Sequence, residues 1–306
     1  MSLIIKKVEV VMENKIVSAI IVTYNPDVDV LTTLIEGLEK QISNIIVVDN
    51  FSQNVSTIEK INKEFKFIKL DKNIGLASAQ NIGIREAFNY STHIVIFDQD
   101  SEITVDFVAN QLKCESLLLS RGIKVSAVGP KFYDKDSGYE YPATVYKGPF
   151  IKKIPVVDEP VEATFVIASG SLMRTEVLKD VGLMLDDFFI DFVDVEWCLR
   201  ASSKGYKCFI NPYETMKHSI GDLRIDVFGR KISLHSDFRK FYIYRNGVYM
   251  TRLGYVPVGY KIRVFVFNLI RTCIGLVLSK QKSKTLKASI KGWINGMGRF
   301  NKKSPL

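Results

Sequence analysis

The chain has 306 residues, 47% hydrophobic and 25% charged, a balance that excludes a disordered protein and leaves room for one large domain with or without an appendage. Its net charge of +9, concentrated toward the C-terminus, fits a nucleic acid, an anionic membrane or a phosphorylated small molecule. Four widely spaced cysteines, Cys114, Cys198, Cys208 and Cys273, match no zinc motif and read as reduced thiols of a cytoplasmic protein.

The opening MSLIIKKVEVV has neither a long apolar core nor a cleavage pattern, so residues 1–14 read as an extension rather than a secretory signal. Ile16 to Thr23 (IVSAIIVT) is a continuous apolar run, the mark of a buried parallel strand. Pro26 suits the first turn of a helix in which Val30, Leu31, Leu34, Ile35 and Leu38 recur at helical spacing. A second strand, Asn44 to Val48, ends in Asp49-Asn50-Phe51-Ser52. A helical stretch over Ile58 to Phe65 leads to a third strand, Phe67 to Leu70. Asp71 to Ile84 (DKNIGLASAQNIGI) continues as a helix to Tyr90. The fourth strand begins at Ile94 and ends abruptly in IVIFDQDSE, with Asp98 and Asp100 at its tip.

This alternation predicts a doubly wound, mainly parallel sheet flanked by helices. Thr23 and Asn25, Asp49 and Asn50, Asn73, and Asp98 and Asp100 all fall at carboxyl ends of strands, where open α/β sheets bind ligands. Carboxylates there can hold a hard divalent cation, and the cation a diphosphate. The structural alternative is an acidic turn capping the next helix, with Asp100 or Ser101 as N-cap.

Beyond Asp100 a helix is expected over Val105 to Ser120, then β-like runs at Val125 to Tyr133, Tyr139 to Tyr146 and Val161 to Ala168. The last ends in Ser169-Gly170-Ser171. This half reads as mixed or antiparallel sheet. Phe188 to Arg200 (FFIDFVDVEWCLR) reads as a helix from about Asp191, with Asp191, Asp194 and Cys198 on one face and a Glu196–Arg200 pair on the surface. Acids in a first turn complement the helix dipole, but so many acids beside aromatic residues favour chemistry. His218, in HSIGD at another strand end, stands where a metal ligand could reach the site.

Val256 to Leu278 is apolar but broken by Lys261, Arg263 and Arg271, so no membrane span is expected. Lysines follow from Lys280 to Lys303, with Trp293 and Phe300 among them. The region reads either as interfacial helices on an anionic cytoplasmic membrane surface or as helices packed on the sheet.

Assembled, these motifs resemble the family-two inverting glycosyltransferases of GT-A fold, and among them the bacterial rhamnosyltransferases of surface polysaccharide synthesis. The similar stretches are VSAIIVTYNP, IIVVDNFS, NIGLASAQNIGI, FDQDSE, ASGSLMR, FIDFVDVEWCLR and, in the rhamnosyltransferase subgroup, YIYRN around Asn246. The resemblance implies a GT-A catalytic domain over 15–220, with a nucleotide half (15–102) and an acceptor half (103–220), and a helical, basic and apolar region over 221–306. It implies that Thr23, Asn25, Asp49, Asn73, Gly75 and Asp98 bind the nucleotide-sugar, with Asp49 taking a hydrogen bond from the base. Asp100 and His218 would hold Mg²⁺ or Mn²⁺, and Asp194 would be the catalytic base. Asp191, Gly170, Ser171 and Trp197 would meet the acceptor. The implied donor is dTDP-L-rhamnose, and the implied acceptor a saccharide or lipid-linked saccharide. Gln99 between the aspartates and Val193 ahead of Asp194 depart from the commoner pattern.

The chemistry agrees. Loss of a nucleoside diphosphate needs neutralisation of a developing anion, and the attacking hydroxyl needs a carboxylate across the sugar from the metal. A nucleotidyltransferase would carry a glycine-rich basic loop where this chain has Thr-Tyr-Asn-Pro. A UDP-sugar donor, or a binding protein without turnover, are the alternatives that a donor-hydrolysis assay separates.

Overall fold

Val17–Thr23 forms β1 and is buried at every position, which is why its sequence does not alternate. A computed structural model describes residues 15–134, 138–218, 223–227, 230–234, 237–278 and 282–302, so the 1–14 extension lies outside the described residues. β1 pairs in parallel with β2 (Asn44–Asp49) on one side and β4 (His93–Asp98) on the other, and β3 (Lys66–Lys69) extends the sheet beyond β2. The helices between them are α1 (Val28–Glu39), α2 (Val55–Ile58) and α3 (Leu76–Ala87). α1 starts at Asp27, whose carboxylate accepts the backbone N–H of Asp29 and Val30, and buries Leu31, Leu34, Ile35 and Leu38.

The full sheet has eight strands in the order β3-β2-β1-β4-β9-β5-β10-β8. β9 (Ser171–Arg174) runs antiparallel to β4 and to β5 (Val125–Asp134), while β10 (Lys207–His218) is parallel to β5 and carries β8 (Val161–Ala163) at the edge. Strand alternation divides the core in two. Ile20, Ile46, Val48 and Ile96 pack on the side of α3 and α6 (Val193–Ser203). Ala19, Ile21, Val47 and Phe97 pack on the side of α1 and α4 (Phe107–Ser120).

Three expectations change here. The apolar run expected as a strand over Val161 to Ala168 pairs only as far as Ala163, because Val166 instead fills the space beside Gly129, where an added Cβ would come within 2.9 Å. Buried packing and strand pairing leave the same apolar signature. In place of the helix expected over Ile58 to Phe65 there is a single helical turn ahead of it, Val55–Ile58. The C-terminal region is not wholly helical. A hairpin, β11 (Leu223–Val227) with β12 (Arg230–Leu234), precedes α7 (Asp237–Arg252), α8 (Val258–Leu278) and α9 (Lys282–Met297). α8 buries Tyr260, Val264 and Asn268 but leaves Ile262, Phe265, Val266, Leu269 and Ile270 exposed, and α9 leaves Leu286, Ile290, Ile294 and Met297 exposed. Among the described residues, no helix is long and apolar enough to cross a membrane.

Candidate active site

The carboxyl ends of β1 and β4 and the loop after β3 open on a cavity of about 740 Å³. Asn50, Asn73 and Gly75 form one wall, stitched by Asn50 Nδ2 donating to Asn73 Oδ1 at 3.1 Å. The backbone N–H of Gly75 donates to the same oxygen at 3.0 Å, and that of Ile74 to Asn50 Oδ1 at 2.9 Å. Gln99 explains its place between the aspartates. Its Oε1 accepts the Tyr24 N–H at 2.8 Å and its Nε2 donates to Tyr24 O at 3.4 Å, joining the ends of β1 and β4.

Thr23 and Asp49 lie beneath this wall, both fully buried. Asp49 accepts from the Thr23 hydroxyl at 3.0 Å and from the Ser52 N–H at 2.9 Å. Asp49, expected to meet the nucleotide base, is buried beneath the cavity wall. Its oxygens hold the turn that carries Asn50. Asn25 is exposed, and its Oδ1 accepts the Gln53 N–H at 2.7 Å.

Asp98 and Asp100 both line the cavity. Burial, then Asp100, then Asp194 push the Asp98 carboxyl up to about 6. Asp194 on α6 is likewise raised to about 6, chiefly by burial and against the pull of backbone N–H groups, including that of Val195 at 2.8 Å. Both carboxylates keep part of their surface open although protein surrounds them. The structure thus brings two of the expected acids, Asp100 and Asp194, within electrostatic reach of a third, Asp98.

The loop ahead of α6 is strained. The described non-glycine residues with left-handed φ are Asn25, Phe51, Phe189, Asp191 and Phe192. Each costs on the order of 1 kcal/mol or more, and such residues gather at functional sites. Asp191 precedes the helix, which begins at Val193, so it does not share a helix face with Asp194 as expected. Two groups on α7 hold the loop. Asn246 Nδ2 donates to the carbonyls of Phe188, Ile190 and Asp191 at 2.7, 2.7 and 2.9 Å. Arg239, which lines the cavity, pairs with Asp191 at 2.7 Å. Phe189 closes the floor from below: its carbonyl accepts the Leu76 N–H at 2.5 Å, and its ring stacks on Tyr242 at 4.7 Å. Arg239, Phe189 and Phe238 also line the cavity, and no local motif announces Arg239 or Phe238.

Three expected acceptor contacts prove to be structural. Trp197 is buried, with its indole N–H donating to Gly182 O at 2.8 Å. Gly170 and Ser171 are buried too, Ser171 Oγ donating to Ile167 O at 2.5 Å. Their turn instead supports the acids. Ser169 Oγ accepts the Asp98 N–H at 3.2 Å and meets Ser101 Oγ at 2.7 Å. The Glu196–Arg200 pair, expected on the surface, is buried, and Arg200 also donates to the carbonyls of Val181 and Leu183. His218 ends β10, but its side chain lies outside the described residues, among which no cluster of three metal-ligating side chains occurs.

Residues 18–182 match the family described as Glycosyl transferase family 2. The chain belongs to glycosyltransferase family 2. This glycosyltransferase is 35% identical over 303 residues to the dTDP-rhamnosyl transferase RfbF of Shigella flexneri, covering 94% of the chain and 99% of the relative. It is 26% identical over 214 residues to the uncharacterised glycosyltransferase YwdF of Bacillus subtilis (strain 168), covering 67% and 75%. Its fold resembles that of S. aureus TarS residues 1–349, with a TM-score of 0.56 at 15% identity, over 92% of the chain and 80% of that structure. The parallel sheet and its flanking helices are the GT-A fold.

Proposed function

We propose that this glycosyltransferase transfers L-rhamnose from dTDP-L-rhamnose, with inversion, to a saccharide or lipid-linked saccharide acceptor in surface polysaccharide synthesis. The observation that carries the donor is the 35% identity, over nearly the whole chain, to a dTDP-rhamnosyl transferase. In this reading Asn50, Asn73 and Gly75 bind the nucleotide. Asp194 takes the acceptor hydroxyl proton as that oxygen attacks the anomeric carbon. Asp191 orients the acceptor.

The donor set at Asp98 and Asp100 fits a divalent cation. Two hard carboxylates stand together on the cavity wall, and burial, with repulsion from Asp100 added to it, raises Asp98. Asp100, with Asp98 and His218, would hold Mg²⁺ or Mn²⁺, and such a cation would supply positive charge against the anion of a departing diphosphate. The exposed apolar faces of α8 and α9, interleaved with Lys261, Lys287 and Lys291, support peripheral contact with an anionic membrane.

The test is a panel of nucleotide sugars, with hydrolysis and transfer measured with and without chelator. Turnover of dTDP-L-rhamnose that stops in chelator is expected. Preference for UDP-hexoses would overturn the donor, and full activity in chelator would overturn the metal.

A further inference from the structure

The cavity that holds Asp98 and Asp100 is lined by two kinds of residue. One group, Asn50, Asn73, Asp98, Gln99 and Asp100, is polar or acidic and stands at or just beyond the carboxyl ends of the strands. A second group is apolar. Leu76 opens α3, Phe189 and Ile190 come from the strained loop ahead of α6, and Phe238 comes from the first turn of α7.

Contacts join this second group into one surface. The Phe189 ring lies against Gly75, where an added Cβ would come within 2.5 Å of it, and Phe189 O accepts the Leu76 N–H. Tyr242 stacks on the same ring at 4.7 Å with the planes 9° apart. Phe238 meets Phe189 edge-on at 6.2 Å and Tyr242, one helical turn along α7, at 4.9 Å. Two neighbouring rings thus fix the orientation of Phe238, yet the residue is 56% exposed. Covering such a ring is favourable in proportion to the apolar area removed from water. Small-molecule pockets combine apolar walls of this kind with a few polar groups that set orientation.

The polar groups beside the surface are bonded to one another. Arg239 Nη2 donates to Asp191 Oδ1 at 2.7 Å, and Asn246 Nδ2 to Ile190 O at 2.7 Å. A sugar hydroxyl turned onto Phe189, Ile190 and Phe238 would lose water without gaining a matching partner, whereas a methyl group would gain by leaving water. The surface leads directly into Asp191 and α6, the helix that carries Asp194, so it adjoins the sugar end of a bound donor in the reaction proposed above.

We propose that Phe189, Ile190 and Phe238 form the pocket for the C6 methyl group of the donor sugar, and that this pocket selects 6-deoxyhexosyl donors over their 6-hydroxy counterparts. The inference rests on the donor reading above and deepens it. Rhamnose is a 6-deoxyhexose, and the pocket reads the missing oxygen rather than the rest of the sugar. Phe238 is the residue to vary, because Phe189 also packs against Gly75 and Tyr242.

The test is calorimetric titration of the full-length protein, in Mn²⁺, with dTDP, dTDP-6-deoxy-D-glucose and dTDP-D-glucose. The two sugars differ by one oxygen, at C6. An apolar pocket rejects an added hydroxyl by no more than about a hundredfold, so the wild type should prefer the deoxy sugar by about tenfold to a hundredfold. Phe238→Ser should cut that preference to about twofold or less with dTDP affinity unchanged, and Phe238→Leu, which keeps an apolar contact, should retain most of it. Equal binding of the two sugars by the wild type overturns the pocket, as does a preference that survives Phe238→Ser. An equal loss of dTDP affinity in Phe238→Ser would put the ring against the nucleoside and overturn it too. If Phe238→Ser lacks a thermal transition, Ile190→Thr decides, and an unchanged preference counts against the proposal. A wrong nucleotide shows separately, as failure of dTDP itself to bind, and takes both readings with it. A wrong sugar configuration shows in the nucleotide-sugar panel and leaves the preference at C6 intact.

Discussion

Arg239 Nη2 lies 2.7 Å from Asp191 Oδ1, and its Nε lies 3.4 Å from Oδ2, so a side chain of α7 grips the strained loop ahead of α6. Arg239 is 39% exposed, so screening limits the pair to about 1 kcal/mol or less of stability. Its position on the cavity wall gives it more weight in function. Arg239→Gln should lower the melting temperature by only a few degrees but reduce kcat/KM about tenfold or more. Paired melting and kinetic measurements check this, and a variant with normal kcat/KM refutes the functional half.

Asn246 is completely buried and donates to three carbonyls of the same loop. Asn246→Ala leaves Ile190 O and Asp191 O without that donor, at about 1–3 kcal/mol for each buried group stranded. The expected fall in melting temperature is roughly 5 °C or more for a chain of this size. Asn246→Asp should be at least as damaging, because a carboxylate would then face three carbonyl oxygens. A scan in which both variants melt with the wild type would dismiss the clasp.

Gly75 combines a φ of +88° with a Cβ position 2.5 Å from the Phe189 ring and 2.8 Å from Phe189 Cα. Gly75→Ala must displace the backbone that also receives the Leu76 N–H. We expect nucleotide affinity to fall about tenfold or more, measured by dTDP titration, with a smaller loss in a Gly122→Ala control, where nothing lies within 4 Å. Equal losses would mean that φ strain alone accounts for the effect.

The nucleotide half was legible because β1, β2 and β4 are buried on both faces and end in polar residues, so periodicity and site coincide in one string. Asp98 feels the charge of both Asp100 and Asp194, residues singled out from separate motifs. The acceptor half was less legible for a physical reason. Trp197, Ser171 and the Glu196–Arg200 pair look functional by type, yet their polar atoms are spent on buried backbone carbonyls or on each other, which sequence does not reveal. Asp191 was misplaced onto α6 because Phe189, Asp191 and Phe192 adopt left-handed φ without a glycine to mark it. Arg239 and Asn246 act across nearly fifty or more residues of chain, a separation no local motif spans.

Asp194 supplies the last prediction. Burial raises its carboxyl from 3.8 to about 6, so it is the ionised, proton-accepting form only above that range. Between pH 7 and pH 5 the ionised fraction falls about tenfold, and kcat should fall with it if Asp194 is the base. Asp98 titrates in the same range, so donor affinity measured at each pH separates its effect from that on kcat. The stability sign runs the opposite way. A folded pKa above the unfolded one gives stability that is full below about 3.8 and lost as pH rises through about 6. Asp194→Asn removes that loss, so at pH 7 it should melt no lower than the wild type while losing two to four orders of magnitude in transfer. Donor affinity should barely change. A variant that keeps near-normal turnover, or a wild-type kcat flat from pH 5 to pH 7, would remove Asp194 from the role of base.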